Sequence, residues 1–253
     1  MIYDLEAIKV RLLTHRYDSY HAKLVLLDNA INQTLGGYVS DPVHLALSGG
    51  VDSSLLLAIL AGRLGRSVVA HTIGTSVNHP DVTHVRVLSH AFPRVEYRYH
   101  IIRPCECDAY IALYAALSGE TKAIVSGDVI DELAGGYSAH QTAEDKQTEL
   151  YEQIRWVRSR HLDPMQDASN QHGIAVFLPY AAEAVFTTMA AFRVDELVTG
   201  DYRKKPIYDL AVKYGIPQAI LARRKIGLVS IEAANPPPPP QPPPAAAKPE
   251  GKA

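Results

Sequence analysis

The chain has 253 residues, of which 47% are hydrophobic, and a formal net charge of -2. This length and composition allow a substantial core in one large or two small domains. The near-neutral charge gives no reason to expect binding to nucleic acid or to an anionic membrane surface, and no apolar run approaches the roughly 20 residues that span a bilayer.

The order of apolar and polar segments predicts an α/β fold, with a parallel sheet that carries helices on both faces. Short apolar runs alternate with helical patterns as far as residue 125, and this alternation is typical of parallel sheets. Beyond Tyr137 the pattern becomes mainly helical, as in the apolar stripe of Leu150, Ile154 and Val157. The predicted strands are residues 43–47, 67–73, 97–102 and 123–125, and the other predicted helices are residues 5–33, 53–64, 81–91, 108–117, 181–192 and 202–214.

These patterns divide the chain into an N-terminal helical segment (1–42), a main α/β domain with its helical C-terminal part (43–233) and a proline-rich tail (234–253). The tail holds nine of the 17 prolines. Because proline lacks the N–H that a sheet requires, we expect an extended, solvated tail. A docking peptide for an aromatic groove is the alternative.

The first motif, L-S-G-G-V-D-S-S, follows the first predicted strand. Two glycines let backbone N–H groups approach an anion, and the next helix directs its positive end to the same place. Serine hydroxyls can donate to phosphate oxygens, and Asp52 is a hard oxygen ligand suited to Mg2+. The motif therefore predicts a phosphate cradle for ATP rather than an ordinary strand-to-helix turn. Its residues are Leu47, Ser48, Gly49, Gly50, Val51, Asp52, Ser53 and Ser54.

The second motif, S-G-D-V-I-D-E-L-A-G-G-Y, spans residues 126–137 and begins where another strand ends. Open parallel sheets bind their ligands at such strand ends. Asp128, Asp131 and Glu132 are close enough in sequence to repel one another unless a cation separates them. We expect Mg2+ to be held by Asp52 and Asp131. The alternative is an acidic helix start, with Asp128 as the N-cap.

Together the two motifs resemble the synthetase domain of the asparagine synthetase family, which includes β-lactam-forming relatives. Its loop is that of the ATP pyrophosphatases, or PP-loop enzymes. The resemblance implies an adenine nucleotide α-hydrolase-like fold, with ATP and Mg2+ as cofactors. It also implies that a small-molecule carboxylate is adenylated, with release of pyrophosphate, and then joined to ammonia or an amine. Other PP-loop chemistry on a nucleotide or tRNA, and a non-catalytic nucleotide-binding role, remain as alternatives.

The resemblance also implies roles for single residues. Lys225, in the R-x-K-x-G pattern that begins at Arg223, would stabilise charge on the reacting phosphate and acyl centre. Asp128 stands where asparagine synthetases have a glutamate that handles ammonia, and it retains a carboxylate that can act as a base. Lys204 belongs to the other basic segment, for which a solvated surface cluster is the alternative. Ile73, Ser126 and Gly127 are expected to flank the nucleotide.

A weaker resemblance follows in residues 167–182. His172-Gly173 and Pro179-Tyr180 match a family pattern, and Asp167 is a candidate for its upstream acid. The chain has Ala175, Phe177, Ala181 and Ala182 where the family tends to have Glu, Arg, Leu and Asp. The identity of the substrate carboxylate is therefore left open, although adenylation is still expected.

Location and partners are predicted from what the sequence lacks. The start M-I-Y-D-L-E has no basic segment followed by an apolar one, and Cys105 and Cys107 do not suit a disulfide framework. We therefore expect a cytoplasmic protein. Complete asparagine synthetases carry an N-terminal glutaminase domain, for which the residues before Val43 leave no room. Nitrogen from glutamine would then require a separate glutaminase or other partner chain, and a homo-oligomer is left open.

Overall fold

A computed structural model describes residues 19–102, 109–200 and 202–223. Its centre is a five-stranded sheet with the order β3-β2-β1-β4-β5, in which every neighbouring pair is parallel. The strands are β1 (Val43–Ala46), β2 (Val68–Gly74), β3 (Glu96–Ile101), β4 (Ala123–Val125) and β5 (Ala175–Phe177). The predicted parallel α/β architecture is confirmed.

Helices cover both faces of the sheet and dominate the C-terminal half, as predicted. Val43 and Leu45 face the larger core cluster, whereas Ala46 and Ile124 face a smaller cluster on the other side. The described α-helices are α1 (Tyr20–Gly36), α2 (Val51–Leu57), α3 (Pro80–Ala91), α4 (Ala109–Leu117), α5 (Ile130–Ala134), α6 (Ala139–Thr142), α7 (Lys146–Val157), α8 (Asp163–Gln171), α9 (Glu183–Met189), α10 (Val194–Leu197), α11 (Lys205–Lys213) and α12 (Gln218–Leu221). Among the described residues, no helix combines the length and the apolarity needed to cross a membrane.

The largest departures from the sequence prediction are a strand and a helix boundary. Strand β5 was not expected, because residues 175–177 belong to the region after Tyr137 that was predicted to be mainly helical. It forms along the open edge of β4, where Ala123 pairs with Ala175 and Val125 with Phe177. The helix expected at 53–64 begins two residues earlier, at Val51, and widens into a π-helical turn over Ala58–Arg63.

Helix α1 packs against the main body of the chain. Ser19 caps it by accepting a hydrogen bond from the N–H of Ala22, and Leu27, Ile31 and Leu35 are completely buried in the larger cluster. Asp28 also forms an ion pair, at 2.5 Å, with Lys213 on the last turn of α11. Residues 20–36 therefore share a core with the sheet and with the helix that follows Lys204.

The strand order places the two motifs side by side. From β1 the chain continues outward to β2 and β3, and then crosses to β4 and β5 on the other side of β1. The loops after β1 and β4 therefore diverge, and such a switch point leaves a crevice at the carboxyl edge of the sheet. Leu45 pairs directly with Val125, so the first and second motifs both begin at this crevice.

Candidate functional site

The first motif forms a tight turn that only glycine fits at position 49. Gly49 has a φ of 69°, and a Cβ there would lie 2.8 Å from the Cβ of His84 and 3.2 Å from the backbone nitrogen of Val85. The Ser48 hydroxyl accepts a hydrogen bond from the N–H of Gly50 at 3.3 Å, and the Ser53 hydroxyl accepts one from the N–H of Ser48 at 3.3 Å. The serines thus shape the turn, and Ser48, Gly50 and Asp52 are its half-buried positions.

The remaining residues of the first motif form its buried support. Leu47, Val51 and Ser53 are buried, and Ser54 is completely inaccessible. The Ser54 hydroxyl has no hydrogen-bond partner among the described residues. Contact between Ser54 and a phosphate therefore remains a prediction that this arrangement does not favour.

Lys204 joins the two carboxylates that were expected to hold Mg2+. Its ammonium lies 2.6 Å from Oδ2 of Asp52 and 3.0 Å from Oδ1 of Asp131. The side chain is buried, and its backbone has a φ of 53°. Burial by itself would lower the pKa of Lys204, but the two carboxylates outweigh burial and raise it. The alternative of a solvated surface cluster is therefore wrong for Lys204.

Neighbouring Lys205 has a different environment. It pairs with Asp209 at 2.5 Å on α11, and its ammonium lies 4.2 Å from the centre of the Tyr20 ring. Lys204 therefore contacts the carboxylates of the candidate site, whereas Lys205 joins α11 to α1.

The donor set around Lys204 fits both a divalent cation and phosphate. Carboxylate oxygens of Asp52 and Asp131 are the hard ligands that Mg2+ prefers, whereas an ammonium is a point-charge partner for phosphate. In this structure the carboxylates contact Lys204, so an ion held between them would require the ammonium to change its partner.

Asp128 is held by side chains rather than placed as a helix cap. It accepts hydrogen bonds from the hydroxyl of Ser126 and, at 2.9 Å, from the phenol of Tyr110. Helix α5 starts at Ile130, its N-cap position is Val129, and that cap has no side-chain hydrogen bond. The capping alternative for Asp128 is therefore wrong. Burial and the charge of Asp128 raise the pKa of Tyr110, which remains a proton donor.

The two adjacent glycines of the second motif are each required for a different structural reason. Gly135 ends α5 with a φ of 72°, where a side chain would also clash with Val198. A Cβ on Gly136 would lie 1.9 Å from Oδ1 of Asp131 and 2.8 Å from its Cα. The missing side chain of Gly136 thus makes room for the carboxylate that contacts Lys204.

Glu132 and Tyr137 form a buried polar group beside the carboxylate pair. Glu132 is 3% exposed, accepts a hydrogen bond from the phenol of Tyr137, and lies 3.2 Å from Nε2 of His161. Burial and the Glu132 carboxylate raise the pKa of Tyr137, so this phenol also remains protonated. The terminal tyrosine of the second motif therefore satisfies a buried carboxylate that does not contact Lys204.

Gly127 and Tyr180 hold the two motifs together. A Cβ on Gly127 would lie 3.3 Å from the backbone nitrogen of Ser53, so the second motif approaches the start of α2 closely. Tyr180 is completely buried, and its phenol donates to the carbonyl of Asp52 at 2.9 Å. Sequence reasoning had matched the Pro179-Tyr180 pair without giving the tyrosine this role.

Arg223 connects the described C-terminal end to the first motif. Its guanidinium donates to the carbonyl of Ser48 at 2.6 Å and also pairs with the carboxylate of Asp81 at the start of α3. Lys225, the predicted charge-stabilising residue, lies outside the described residues. Arg223 was recognised only as part of the basic segment, and its contact with Ser48 had no signal in the sequence.

The other expected positions lie on β2, α8 and β5. Ile73 is near the end of β2, at 9% exposure, and packs in the smaller core cluster. Its neighbour Thr72 donates to the carbonyl of Leu47 at 2.8 Å, which links β2 to the first motif. Asp167 is an exposed residue of α8, and Ala175 and Phe177 lie on the edge strand β5.

Comparison with known proteins gives one family match. Residues 25–103 match the family model described as asparagine synthase. No curated protein sequence matches the chain significantly. One solved structure that it matches is NMN synthetase from Francisella tularensis, with 17% sequence identity, a TM-score of 0.37, and coverage of 82% of this chain and 75% of that chain. A score at this level does not establish a common fold.

The family match includes the first motif and ends before the second. Residues 25–103 contain most of α1 and all of β1, the glycine turn, α2, β2, α3 and β3. Over residues 25–103 this chain therefore carries the sequence pattern of the asparagine synthase family, and the resemblance seen in the first motif is confirmed there.

Proposed function

We propose that this protein is an AMP-forming ligase that uses ATP to adenylate a small-molecule carboxylate and then transfers ammonia or an amine to it. One observation carries the proposal. Two carboxylates, from the first and second motifs, meet one buried ammonium beside a glycine turn at the switch point of the sheet. This arrangement has the charges needed to hold a cation and phosphate groups.

The first motif is the binding element for the phosphates. Backbone N–H groups around Gly49 and Gly50, with the hydroxyl of Ser48, donate to phosphate oxygens, and the start of α2 adds its positive dipole end. Ile73 and Gly127 flank the nucleotide on either side. Asp52 and Asp131 would hold Mg2+, which would neutralise charge on the phosphates. Lys204 would then contact a phosphate oxygen in place of these carboxylates.

The proposed reaction has two balanced steps. A substrate carboxylate oxygen attacks the α-phosphorus of ATP, the bond to the β-phosphate oxygen breaks, and pyrophosphate leaves. The nitrogen of ammonia or an amine then attacks the acyl carbon, and AMP leaves with the bridging oxygen. Asp128 takes the proton that the nitrogen loses, because Tyr110 and Ser126 orient its carboxylate. Lys225 is assigned to the negative charge that develops in both steps.

Pyrophosphate release from Mg-ATP tests this function. The purified chain is offered aspartate, other carboxylates and ammonium in turn, and the Asp52→Asn variant is assayed beside Asp163→Asn. Asp163 is a surface residue paired with Arg158 at 3.4 Å, so its variant controls for loss of a carboxylate elsewhere. We expect one acid to stimulate release and Asp52→Asn to reduce it by about 100-fold or more.

Two results would count against the ligase. Equal rates in Asp52→Asn and in the unmodified chain would remove Asp52 from the site. ATP binding without pyrophosphate release, for every acid tested, would favour a non-catalytic nucleotide-binding role.

A further inference from the structure

A row of three histidines crosses three neighbouring strands of the sheet. Nδ1 of His44 on β1 lies 2.8 Å from Nε2 of His71 on β2, and Nδ1 of His71 lies 3.0 Å from Nε2 of His100 on β3. Adjacent rings are nearly parallel, with centroids 5.1 and 5.3 Å apart. His44 precedes Ser48 by four residues along an extended strand, a distance of about 13 Å.

Glu120 brings a carboxylate to the end of this row. It lies in the turn between α4 and β4, with one oxygen 3.8 Å from Nδ1 of His71 and the other 3.9 Å from Nδ1 of His100. One ligand atom from each of His71, His100 and Glu120 can be chosen so that all three lie within 4.8 Å of one another. Two imidazoles and a carboxylate are a recurrent ligand set for zinc with an open coordination position.

We propose that His71, His100 and Glu120 form a binding site for a divalent transition-metal ion of the zinc class. Zinc bonds of about 2.0–2.2 Å in a tetrahedral arrangement separate the ligand atoms by roughly 3.3 Å. The 3.0 Å separation of Nδ1 of His71 and Nε2 of His100 is close to this value. The Glu120 oxygen that lies 3.8 Å from Nδ1 of His71 must approach that nitrogen by about half an ångström. A side-chain rotation of Glu120, which is 34% exposed, supplies such a movement.

The surroundings supply the second layer that metal-binding histidines need. A metal-binding imidazole is normally oriented by a partner on its other nitrogen. When Nδ1 of His71 faces the metal, the partner of its Nε2 is Nδ1 of His44. Burial and the neighbouring histidines lower the pKa of His71 to about 4, so its ring is neutral at neutral pH.

Arg98 is the charge that opposes metal binding. Its guanidinium donates to an oxygen of Glu120 at 2.9 Å and also to Glu96 at 2.7 Å. It holds the carboxylate in place, while its positive charge lowers the affinity for a cation. The side chain is 39% exposed, so solvent screens part of this repulsion. Removing Arg98 should therefore strengthen binding, which a purely structural role for the cluster does not predict.

A bound ion would connect β2, β3 and the turn before β4. The three ligands are separated by 29 and 20 residues along the chain, so the ion would close two long loops at the free edge of the sheet. Binding only to the folded state raises its apparent stability by about 2.7 kcal/mol at a metal concentration 100 times Kd. Thermal unfolding thus provides a readout that does not depend on enzymatic activity.

The test titrates Zn2+ into the full chain, which is first stripped of transition metals and then kept in excess Mg2+ so that Asp52 and Asp131, the proposed Mg2+ ligands, do not capture the probe. All variants are made with Cys105→Ser and Cys107→Ser, so that thiols do not bind the probe. We expect one Zn2+ per chain and a raised Tm. The affinity should fall more than 100-fold in His100→Ala and Glu120→Gln, and 10- to 100-fold in His44→Ala.

Two control variants, one variant with a predicted gain in affinity and a second metal make the result decisive. His90→Ala at an exposed position and Glu152→Gln at a half-buried one should bind Zn2+ as the parent does, and Arg98→Ala should bind it more tightly. Co2+ in place of Zn2+ should give the visible absorption of a four- or five-coordinate ion, which His100→Ala should lack. Absence of Zn2+ binding in the thiol-free parent, or equal affinity in His100→Ala and the parent, would overturn the proposal and leave a hydrogen-bonded histidine row. None of these residues belongs to the proposed ATP site, so the outcome is independent of the ligase activity.

Discussion

Two of the described residues that carry side chains adopt left-handed backbones, and one of them, Lys204, contacts the carboxylates of Asp52 and Asp131. Val129 has a φ of 78° and Lys204 a φ of 53°. This conformation costs an L-residue with a Cβ about 1–2 kcal/mol. Val129 separates Asp128 from the helix that carries Asp131, and Lys204 supplies the bridging ammonium. Burial of Val129 and the two ion pairs of Lys204 offset the strain, so the local backbone depends on the charges that it positions.

The close approach of Gly136 to Asp131 predicts a specific sensitivity. Gly136→Ala places a Cβ where it overlaps the Asp131 carboxylate and presses on its backbone. We expect a loss of about 1–3 kcal/mol in the free energy of unfolding and weaker ATP binding. Gly36→Ala is the control, because nothing lies within 4 Å of a Cβ there. Urea unfolding and an ATP titration measure both effects, and equal behaviour of the two variants would contradict the argument.

Buried His140 predicts a loss of stability in acid. Burial lowers its pKa from 6.5, and Nδ1 accepts a hydrogen bond from the N–H of Tyr137 at 3.1 Å. The unfolded chain therefore binds a proton more readily than the folded chain does. The contribution of neutral His140 to the free energy of unfolding is fully present above about pH 6.5. It is lost as the pH decreases toward the lower folded-state pKa, by at most about 1.4 kcal/mol per pH unit.

The comparison uses His140→Gln, whose amide oxygen can accept the same hydrogen bond. Unfolding free energies measured between pH 7.5 and pH 5.5 should fall less in the variant than in the parent chain. Some acid sensitivity should remain in the variant, because burial also lowers the pKa values of His44, His71 and His100. An identical pH slope in both proteins would exclude His140 as a contributor.

At the scale of secondary-structure elements, the first motif is held by hydrogen bonds from two segments that are distant in sequence. Tyr180, after β5, holds the carbonyl of Asp52, and Arg223, after α12, joins the carbonyl of Ser48 to Asp81 on α3. The turn is therefore fixed by segments more than a hundred residues away in sequence.

Arg223→Ala tests whether this brace matters for the reaction. Loss of the guanidinium removes the hydrogen bond to the carbonyl of Ser48 after β1 and the ion pair with Asp81. We therefore expect pyrophosphate release to fall by about 100-fold. The control Arg193→Ala breaks an exposed pair with Asp195 and should leave the rate unchanged. Steady-state kinetics would show a reduced kcat with a smaller change in the KM for ATP. Equal rates in both variants would assign Arg223 to structure alone.

The four strands predicted from apolar or alternating runs are present, whereas features that depend on contacts between distant segments were not predicted. Strand β4 has its predicted bounds, and β1, β2 and β3 differ from prediction by a residue or so at an end. Strand β5 was missed because its formation depends on the edge of β4. Asp52 and Asp131 were expected to share a Mg2+ ion, because each lies in a polar turn that follows a predicted strand. Their bridge through Lys204 was not foreseeable, because it depends on a left-handed backbone 152 residues from Asp52.

At the scale of the whole molecule, the core and the site lie within the same stretch of chain. The buried apolar residues run from Leu27 to Ile220, and the described site contacts end at Arg223. The proline-rich segment 234–253 was expected to be a separate tail. If that division holds, the folding and the chemistry should both survive its removal, whereas a cut that removes the R-x-K-x-G segment should impair the chemistry.

Two truncations place that boundary. A chain ending at residue 233 should unfold within about 1–2 °C of the full chain and release pyrophosphate at the same rate, because surface segments without a share in the core contribute little to stability. A chain ending at residue 222 retains all of the described core but loses Arg223 and Lys225, so it should still bind Mg-ATP weakly while its rate of release falls at least as far as in Arg223→Ala. Loss of activity in the longer truncated chain would mean that the tail reaches the site. Retained activity in the shorter one would remove Lys225 from the proposed mechanism and leave Lys204 as the cation that serves the reacting phosphate.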